Sequence, residues 1–370
     1  MKIIEFIFSL ADGGAETLVK DYALLLRRDG HEVVIVTLFP SYGTANQRII
    51  DENHIRTISV YPDRSVVARG FHKVFNKLVP YVRLRQILRE EKPDVLHIHL
   101  NVLRYVGTLG KRFLQPIRLL YTCHSTPEYN FGDRNDDCFA AKKLIRTNRL
   151  RLIALHDDMA RELNAMFGVN NTVVIRNGID APRFSGAARS KAEIRASLGI
   201  AETAFTVGHI GRFSESKNHV FLVDIFSELH KRNPAAFLLL VGNGYLRQAV
   251  EEKLDRLGLH DSYLILEHRT DIPQLLRAMD VFVFPSLYEG LSVTLVEAQT
   301  TGLKCVVSDT INHASFLLDT TIPVSLHAAA EQWVDMILDP TVRHKASGSV
   351  EDYDMNKEIK RLEELYEGNL

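Results

Sequence analysis

Apolar positions along this chain come in short runs of strand length, separated by stretches in which they recur every three or four residues. KIIEFIFSL, HEVVIVTLF, HIRTISVY, DVLHIHL, IRLLYTCHS and RLIAL are such runs in the first half, and AETLVKDYALLLRRDG, ending at Gly30, has the spacing of an amphipathic helix. Strands that are apolar throughout are buried on both faces, so the pattern predicts an α/β fold with a doubly wound, mostly parallel sheet. In VVIRNGIDAPRFSGAARSK the period is lost, and Asn-Gly, a Pro and small-residue clusters read as a connector. A second series follows: TVGHIGRF, a helix from about Asn218 to His230, AAFLLLVGNG, YLRQAVEEKLDRLG, YLILEHR, IPQLLRAM, VFVFPS and KCVVSD. After Asp309 the sheet signal weakens, and the end reads as a charged helix with Ile359, Leu362, Leu365 and Tyr366 on one side. The expected organisation is two Rossmann-like domains, 1–180 and 181–340, facing across a cleft. Residues 341–370 would form a helix packing back towards the first domain.

Composition narrows the class. At 370 residues the chain is long for one core, which agrees with two domains. A net charge of −1 gives no global reason to expect nucleic acid, and none is expected as a partner. Cys123, Cys138 and Cys305 are widely spaced, which suggests neither a disulfide framework nor a zinc site and argues for the cytoplasm. Glu5 interrupts the apolar run at the N-terminus, so that run reads as a buried first strand rather than a signal peptide. No run approaches the roughly 18 apolar residues of a membrane span.

The polar residues that stand out all follow strand-like runs, where ligands bind in parallel sheets. Gly13 and Gly14, in ADGGAET, open a helix whose unpaired N–H groups suit a phosphate or a sugar oxygen, although a plain tight turn explains them equally well. Arg212 and Lys217, in GRFSESKN, pair a planar fork with a point charge, as a diphosphate site would, or as a solvated basic loop would. Gly290, Leu291 and Ser292 lie at a helix start suited to a second phosphate contact. Glu289 and Glu297 flank that start, with Glu297 about 6 Å further along by helical rise. Carboxylates accept hydrogen bonds from vicinal hydroxyls, so two acids on either side of an anion site describe a nucleotide sugar.

This set resembles the GT-B fold glycosyltransferases of the large retaining family 4, also called glycosyl transferases group 1, and in detail those of bacterial exopolysaccharide and capsule synthesis. The E-x7-E motif is Glu289 to Glu297, and VGNG, GGAE, DVLHIH, YTCHS and IRNGID match further family elements in order over nearly the whole chain. The resemblance implies that Glu297 holds the ribose, Glu289 the donor sugar, and Arg212 and Lys217 the leaving diphosphate, with no metal or other cofactor. It places His124 near the sugar and the segment His268 to Leu276, with Arg269, Asp271 and Ile272, past the base. The implied activity is transfer of a hexose from a nucleotide diphosphate sugar, by default a UDP-sugar, to a glycan or lipid-linked saccharide with retention of configuration. An epimerase of the same architecture and a non-catalytic sugar-nucleotide-binding chain are the alternatives. Two places depart from the family pattern: His156 stands where a small hydroxyl residue is usual, and Ile311 to Phe316 lacks the usual acid.

From Ser65 to Arg89 there is no acidic residue, and Arg69, Lys73, Lys77, Arg83, Arg85 and Arg89 interleave with apolar positions. Such a segment suggests contact with an anionic membrane surface, at the inner face of the cell membrane, to reach a lipid-linked acceptor. A solvated helix face would carry the same charges.

Overall fold

Both series of apolar runs fold as parallel sheets. The computed structural model describes residues 1–11, 13–62, 73–132, 135–148, 150–180, 183–184, 189–267, 269–341 and 353–370, apart from the side chains of 73–78 and 148. One unit comprises Met1–Asn177 and Asn356–Leu370; the other is Gly178–Met355. The expected divisions were at 180 and 340; the chain leaves the first unit after Asn177 and rejoins it at Asn356.

The first unit holds seven strands: β1 (Lys2–Ile7), β2 (Glu32–Thr37), β3 (Arg56–Ser59), β4 (Val95–His99), β5 (Arg118–Thr122), β6 (Arg151–Ala154) and β7 (Val173–Val174). Their order is β3-β2-β1-β4-β5-β6-β7, all parallel, so the winding reverses between β1 and β4. Val173 and Val174, which the sequence pattern assigns to the connector, form the short edge strand beside β6. The helix Met355–Glu367 belongs to this unit from Asn356 onward and buries Ile359, Leu362, Leu365 and Tyr366, the four residues its spacing puts on one side. His156 sits at the N-cap of the helix Asp157–Phe167, where its Nδ1 accepts from the Met159 amide at 3.2 Å. That is the work a Ser or Thr hydroxyl does at such a cap, which accounts for the departure at this position.

The second unit holds β8 (Phe205–Ile210), β9 (Ala236–Val241), β10 (Tyr263–Leu266), β11 (Val281–Phe284), β12 (Lys304–Ser308) and β13 (Thr321–Val324), in the order β10-β9-β8-β11-β12-β13. Here the winding reverses between β8 and β11. Alternation along β11 fills both faces: Val281 and Val283 pack with Leu222, Phe226 and Trp333, whereas Phe282 and Phe284 pack with Leu275, Met279 and Leu295. β13 escapes the sequence pattern because it is four residues long and contains Pro323. At the sheet edge, proline's missing N–H leaves no ladder bond unmade. Two buried side chains hold the divergent segment before it, and the Tyr353 hydroxyl donates to its Ala314 carbonyl. Gln299 donates to the carbonyls of Leu295 and Ser315 and accepts from the Leu317 and Leu318 amides and the Thr321 hydroxyl. Asn312, in the place of the usual acid, caps the turn His313–Ser315 by accepting from the Ala314 amide at 2.7 Å.

Candidate active site

Parallel strands carry their loops of interest at the carboxyl end, and the reversal of winding opens a gap between two such loops. In the second unit these are the loops after β8 and β11. Residues Glu215–Lys217 form a single 3-10 turn after β8, and Asn218, left-handed at φ 54°, leads into the helix His219–Arg232. Lys217 Nζ thereby reaches Glu289 Oε1, in the loop after β11, at 2.5 Å, and both side chains are largely buried. Lys217 also lies over the Phe284 ring, 4.8 Å from its centroid. Arg212 lies on the same loop and is exposed. Beyond Glu289, Ser292 caps the helix Val293–Thr300 by accepting from the Leu295 amide, with Gly290 and Leu291 buried in the turn before it. Glu297 is the fifth residue of that helix and half-buried.

The two loops are tied to each other and to their neighbours. The Leu287 amide donates to the Ser216 carbonyl at 2.8 Å, and the Ser286 carbonyl accepts from the hydroxyls of Ser308, at the end of β12, and Thr310. On the other side, the loop 211–213 runs against the end of β9. A Cβ at Gly242 would stand 2.1 Å from the Gly211 carbonyl oxygen and one at Gly244 2.4 Å from that of Phe213, and both glycines have positive φ. The VGNG motif is therefore a packing requirement of the loop that carries Arg212. Beneath that loop, His209 and His219 stack with Phe213, Phe282 and Phe284. Burial pushes His209 down to about 3 and His219 to about 2, so both imidazoles are neutral around neutral pH, beside Lys217. A cation on such an apolar floor is screened less than one in water.

Arg269 and Asp271 satisfy each other. The guanidinium Nε and Nη2 donate to the two carboxylate oxygens at 2.7 and 2.5 Å, which holds the Asp271 carboxyl below the usual range. The pair braces the entry to the helix Ile272–Ala278, with Ile272 its first residue. His268, which opens this segment, lies outside the described residues.

Gly13, Gly14 and His124 belong to the first unit. Gly13 is extended and caps the helix Gly14–Arg28, and a Cβ at Gly14 would meet nothing within 4 Å. The chain's own packing therefore does not demand glycine at 14. His124 follows β5 and is half-buried, its Nε2 2.9 Å from His99 Nδ1. That contact opens onto a cluster that motif reading missed. Glu5 on β1 lies opposite His97 on β4, at the reversal of winding, and Glu5 Oε2 is 2.7 Å from His99 Nε2. Tyr366 of the C-terminal helix donates to Glu5 Oε1 at 3.0 Å, and its oxygen is 2.6 Å from His97 Nδ1. Glu5, His97, His99 and Tyr366 are fully buried. Burial alone would raise the Glu5 carboxyl, but His97 and the imidazole hydrogen bonds outweigh it and hold Glu5 well below its ordinary value. Burial, with His97 nearby, pushes His99 down to about 4, and burial with His99 nearby lowers His124 strongly. One signal was available: a carboxylate inside a central strand is costly unless a neighbouring strand pairs it, and HIH supplies that partner.

Of the basic segment, residues 65–72 and the side chains of 73–78 lie outside the described residues. In the remainder of the helix Lys73–Glu91, Leu84, Ile87 and Leu88 are buried, and Arg85 and Arg89 lie over the Phe113 ring at 4.8 and 5.9 Å. Among the described residues no helix is long and apolar enough to cross a membrane.

Comparison with known proteins bears on the fold and the family. Residues 12–183 match the Glycosyltransferase Family 4 model and residues 190–334 the Glycosyl transferases group 1 model. EpsF of Bacillus subtilis (strain 168), itself named as a candidate glycosyltransferase, is 35% identical over 64% of this chain and 63% of its own length. The UDP-Gal:alpha-D-GlcNAc-diphosphoundecaprenol alpha-1,3-galactosyltransferase of Escherichia coli is 26% identical over 77% of this chain and 78% of its own. Among solved structures, Anabaena Alr3699/HepE in complex with UDP-glucose superposes over 100% of both chains with a TM-score of 0.79 at 21% identity, a likeness of fold. With two parallel-sheet Rossmann-like units, GT-B neighbours and both family models matched in tandem, the chain belongs to the glycosyltransferases of family 4, with a C-terminal unit of the glycosyl transferases group 1 type.

Proposed function

We propose that the protein transfers a hexose from a nucleotide diphosphate sugar, by default a UDP-sugar, to a glycan or lipid-linked saccharide with retention of configuration, in the synthesis of an exopolysaccharide, capsule or lipopolysaccharide. The observation that carries this reading is the meeting of Lys217 and Glu289 at the point where the winding of the second sheet reverses, with Arg212 on the same loop as Lys217 and Glu297 in the helix that follows Glu289. Departure of a nucleoside diphosphate leaves negative charge on the phosphate oxygens, and Lys217, Arg212 and the amides of Gly290, Leu291 and Ser292 are the groups to stabilise it. Gly13 and Gly14, at a helix start with open space beside Gly14, offer further N–H groups. Two cations take the part a divalent metal plays elsewhere, so no metal is required. Glu297 receives the ribose hydroxyls and Glu289 the hexose, which releases Lys217 to the diphosphate. Arg269, Asp271 and Ile272 border the base. His124 contacts the sugar. The names of the Escherichia coli relative and the Anabaena complex, a UDP-Gal transferase and a UDP-glucose-bound chain, support a UDP-sugar donor.

To reach a lipid-linked acceptor, the protein works at the cytoplasmic face of a membrane and touches anionic lipid through the basic segment Ser65 to Arg89. Co-sedimentation with anionic vesicles at low salt checks this, and a protein left wholly in the supernatant would dismiss it. The transfer itself is tested by incubating the protein with UDP-hexoses and undecaprenyl-linked saccharides. The expected outcome is acceptor-dependent release of UDP and a product whose anomeric configuration, read by NMR, equals the donor's. An inverted anomer, or a donor epimerised without acceptor, would refute it.

A further inference from the structure

The buried cluster in the first unit has a proton arrangement that its hydrogen bonds determine. Glu5 is ionised, so both its oxygens accept. Burial raises the Tyr366 phenol well above its ordinary range, so it keeps its proton and donates it to Glu5 Oε1. Its oxygen then accepts from His97 Nδ1 at 2.6 Å, and Thr122 Oγ1 lies 2.7 Å from His97 Nε2. On the other side, His99 Nε2 must donate to Glu5 Oε2. A neutral imidazole has one N–H, so His99 Nδ1 accepts, and the only proton available for its 2.9 Å contact is the one on His124 Nε2.

We propose that Glu5 is a positioning residue that, through His99, fixes His124 as the Nε2–H tautomer and leaves Nδ1 as the acceptor of the ring. The carboxylate holds His99, His99 orients the second ring, and Tyr366 and His97 hold the carboxylate from behind. This is the logic by which an acid behind a histidine sets its tautomer in hydrolytic triads, extended here over one more ring. The use of Nδ1 to accept from a sugar or acceptor hydroxyl rests on the proposed function; the tautomer itself does not. Glu5, His97 and His99 also bring ligand atoms within 4.8 Å of one another, as a metal site would. Their hydrogen bonds to each other, to Tyr366 and to His124 account for those atoms with protons instead.

Nitrogen-15 NMR of the imidazoles in the wild-type full chain reads the tautomer without donor or acceptor. The expected result is a pyrrole-type Nε2 and a pyridine-type Nδ1 at His124, assigned by loss of the signals in His124→Gln. Glu5→Gln should mix the tautomers and lower kcat for hexose transfer about tenfold or more, with donor KM within about twofold. His99→Asn, which removes the relay ring and keeps Glu5, should do the same. A protonated Nδ1 in the wild type, a stoichiometric metal on the purified protein, or a fall in kcat with the His124 tautomer unchanged would each overturn the proposal. If no transfer is detected at all, the tautomer is still measured, so the two readings fail separately.

Discussion

Lys217 carries the most weight in the proposed chemistry. A unit charge about 4 Å from its partner at a partly screened site is worth roughly 4 kcal/mol, and if part of that is realised only as the diphosphate departs, Lys217→Ala should lower kcat by about two to three powers of ten. Steady-state kinetics checks this; Lys217→Arg, which keeps the charge, should recover part of the loss. The glycine at 242 makes a different kind of demand. Its Cβ would press on the Gly211 carbonyl at 2.1 Å in a backbone region that L residues avoid. Gly242→Ala should therefore destabilise the second unit by about 3 kcal/mol or more, read as a lower unfolding midpoint. Lys217, Glu289 and the glycines were legible in the sequence because each follows an apolar run and has few other uses. The pairing of Glu5 with His99 was not, because it is set by strand order, and nothing local tells that β1 lies beside β4.

Elements were legible where burial wrote a long pattern. The C-terminal helix buries the four residues its period selects, and strands β1 to β6 and β8 to β12 fall on the apolar runs. The edge strands β7 and β13 were lost, since two to four residues, one of them proline, carry no period. The stretch from Ile311 to Phe316 was hardest, because it is held by side chains distant in sequence, Gln299 on a preceding helix and Tyr353. Gln299 is nearly fully buried and uses both its donor and acceptor ends. Replacing it with leucine strands several backbone groups at once, and Gln299→Leu should cost about 2–4 kcal/mol in the stability of the second unit. Chemical denaturation followed by the tryptophan signal checks this, because Trp333 is the chain's single tryptophan and is buried in that unit. A loss under about 0.5 kcal/mol would mean the segment is held by other contacts.

For the molecule as a whole, buried neutral histidines set the response to acid. His99, His209 and His219 are held near 4, 3 and 2, all below the ordinary imidazole value. Below about pH 6.5 the unfolded chain binds protons that the folded one refuses, so stability falls as pH drops, by about 1.4 kcal/mol per pH unit for each group until its folded value is reached. Glu5, also lowered, adds loss of the same sign below about pH 4.5. The apparent melting temperature should therefore decline steadily from pH 6.5 towards pH 4; a flat profile from 6.5 to 5 would contradict the burial of these rings as neutral groups.

On the proposed function, the second unit holds a nucleotide diphosphate at the reversal of winding between β8 and β11. Thermal unfolding with and without UDP, with ADP and GDP alongside, tests it most directly. The wild-type protein should be stabilised by at least one of these nucleotides, by about 2.7 kcal/mol at a hundredfold excess over Kd. Lys217→Ala and Glu297→Ala should each lose most of that shift. Equal shifts in the wild type and both variants, or no shift with any nucleoside diphosphate, would rule out a nucleotide site at this place.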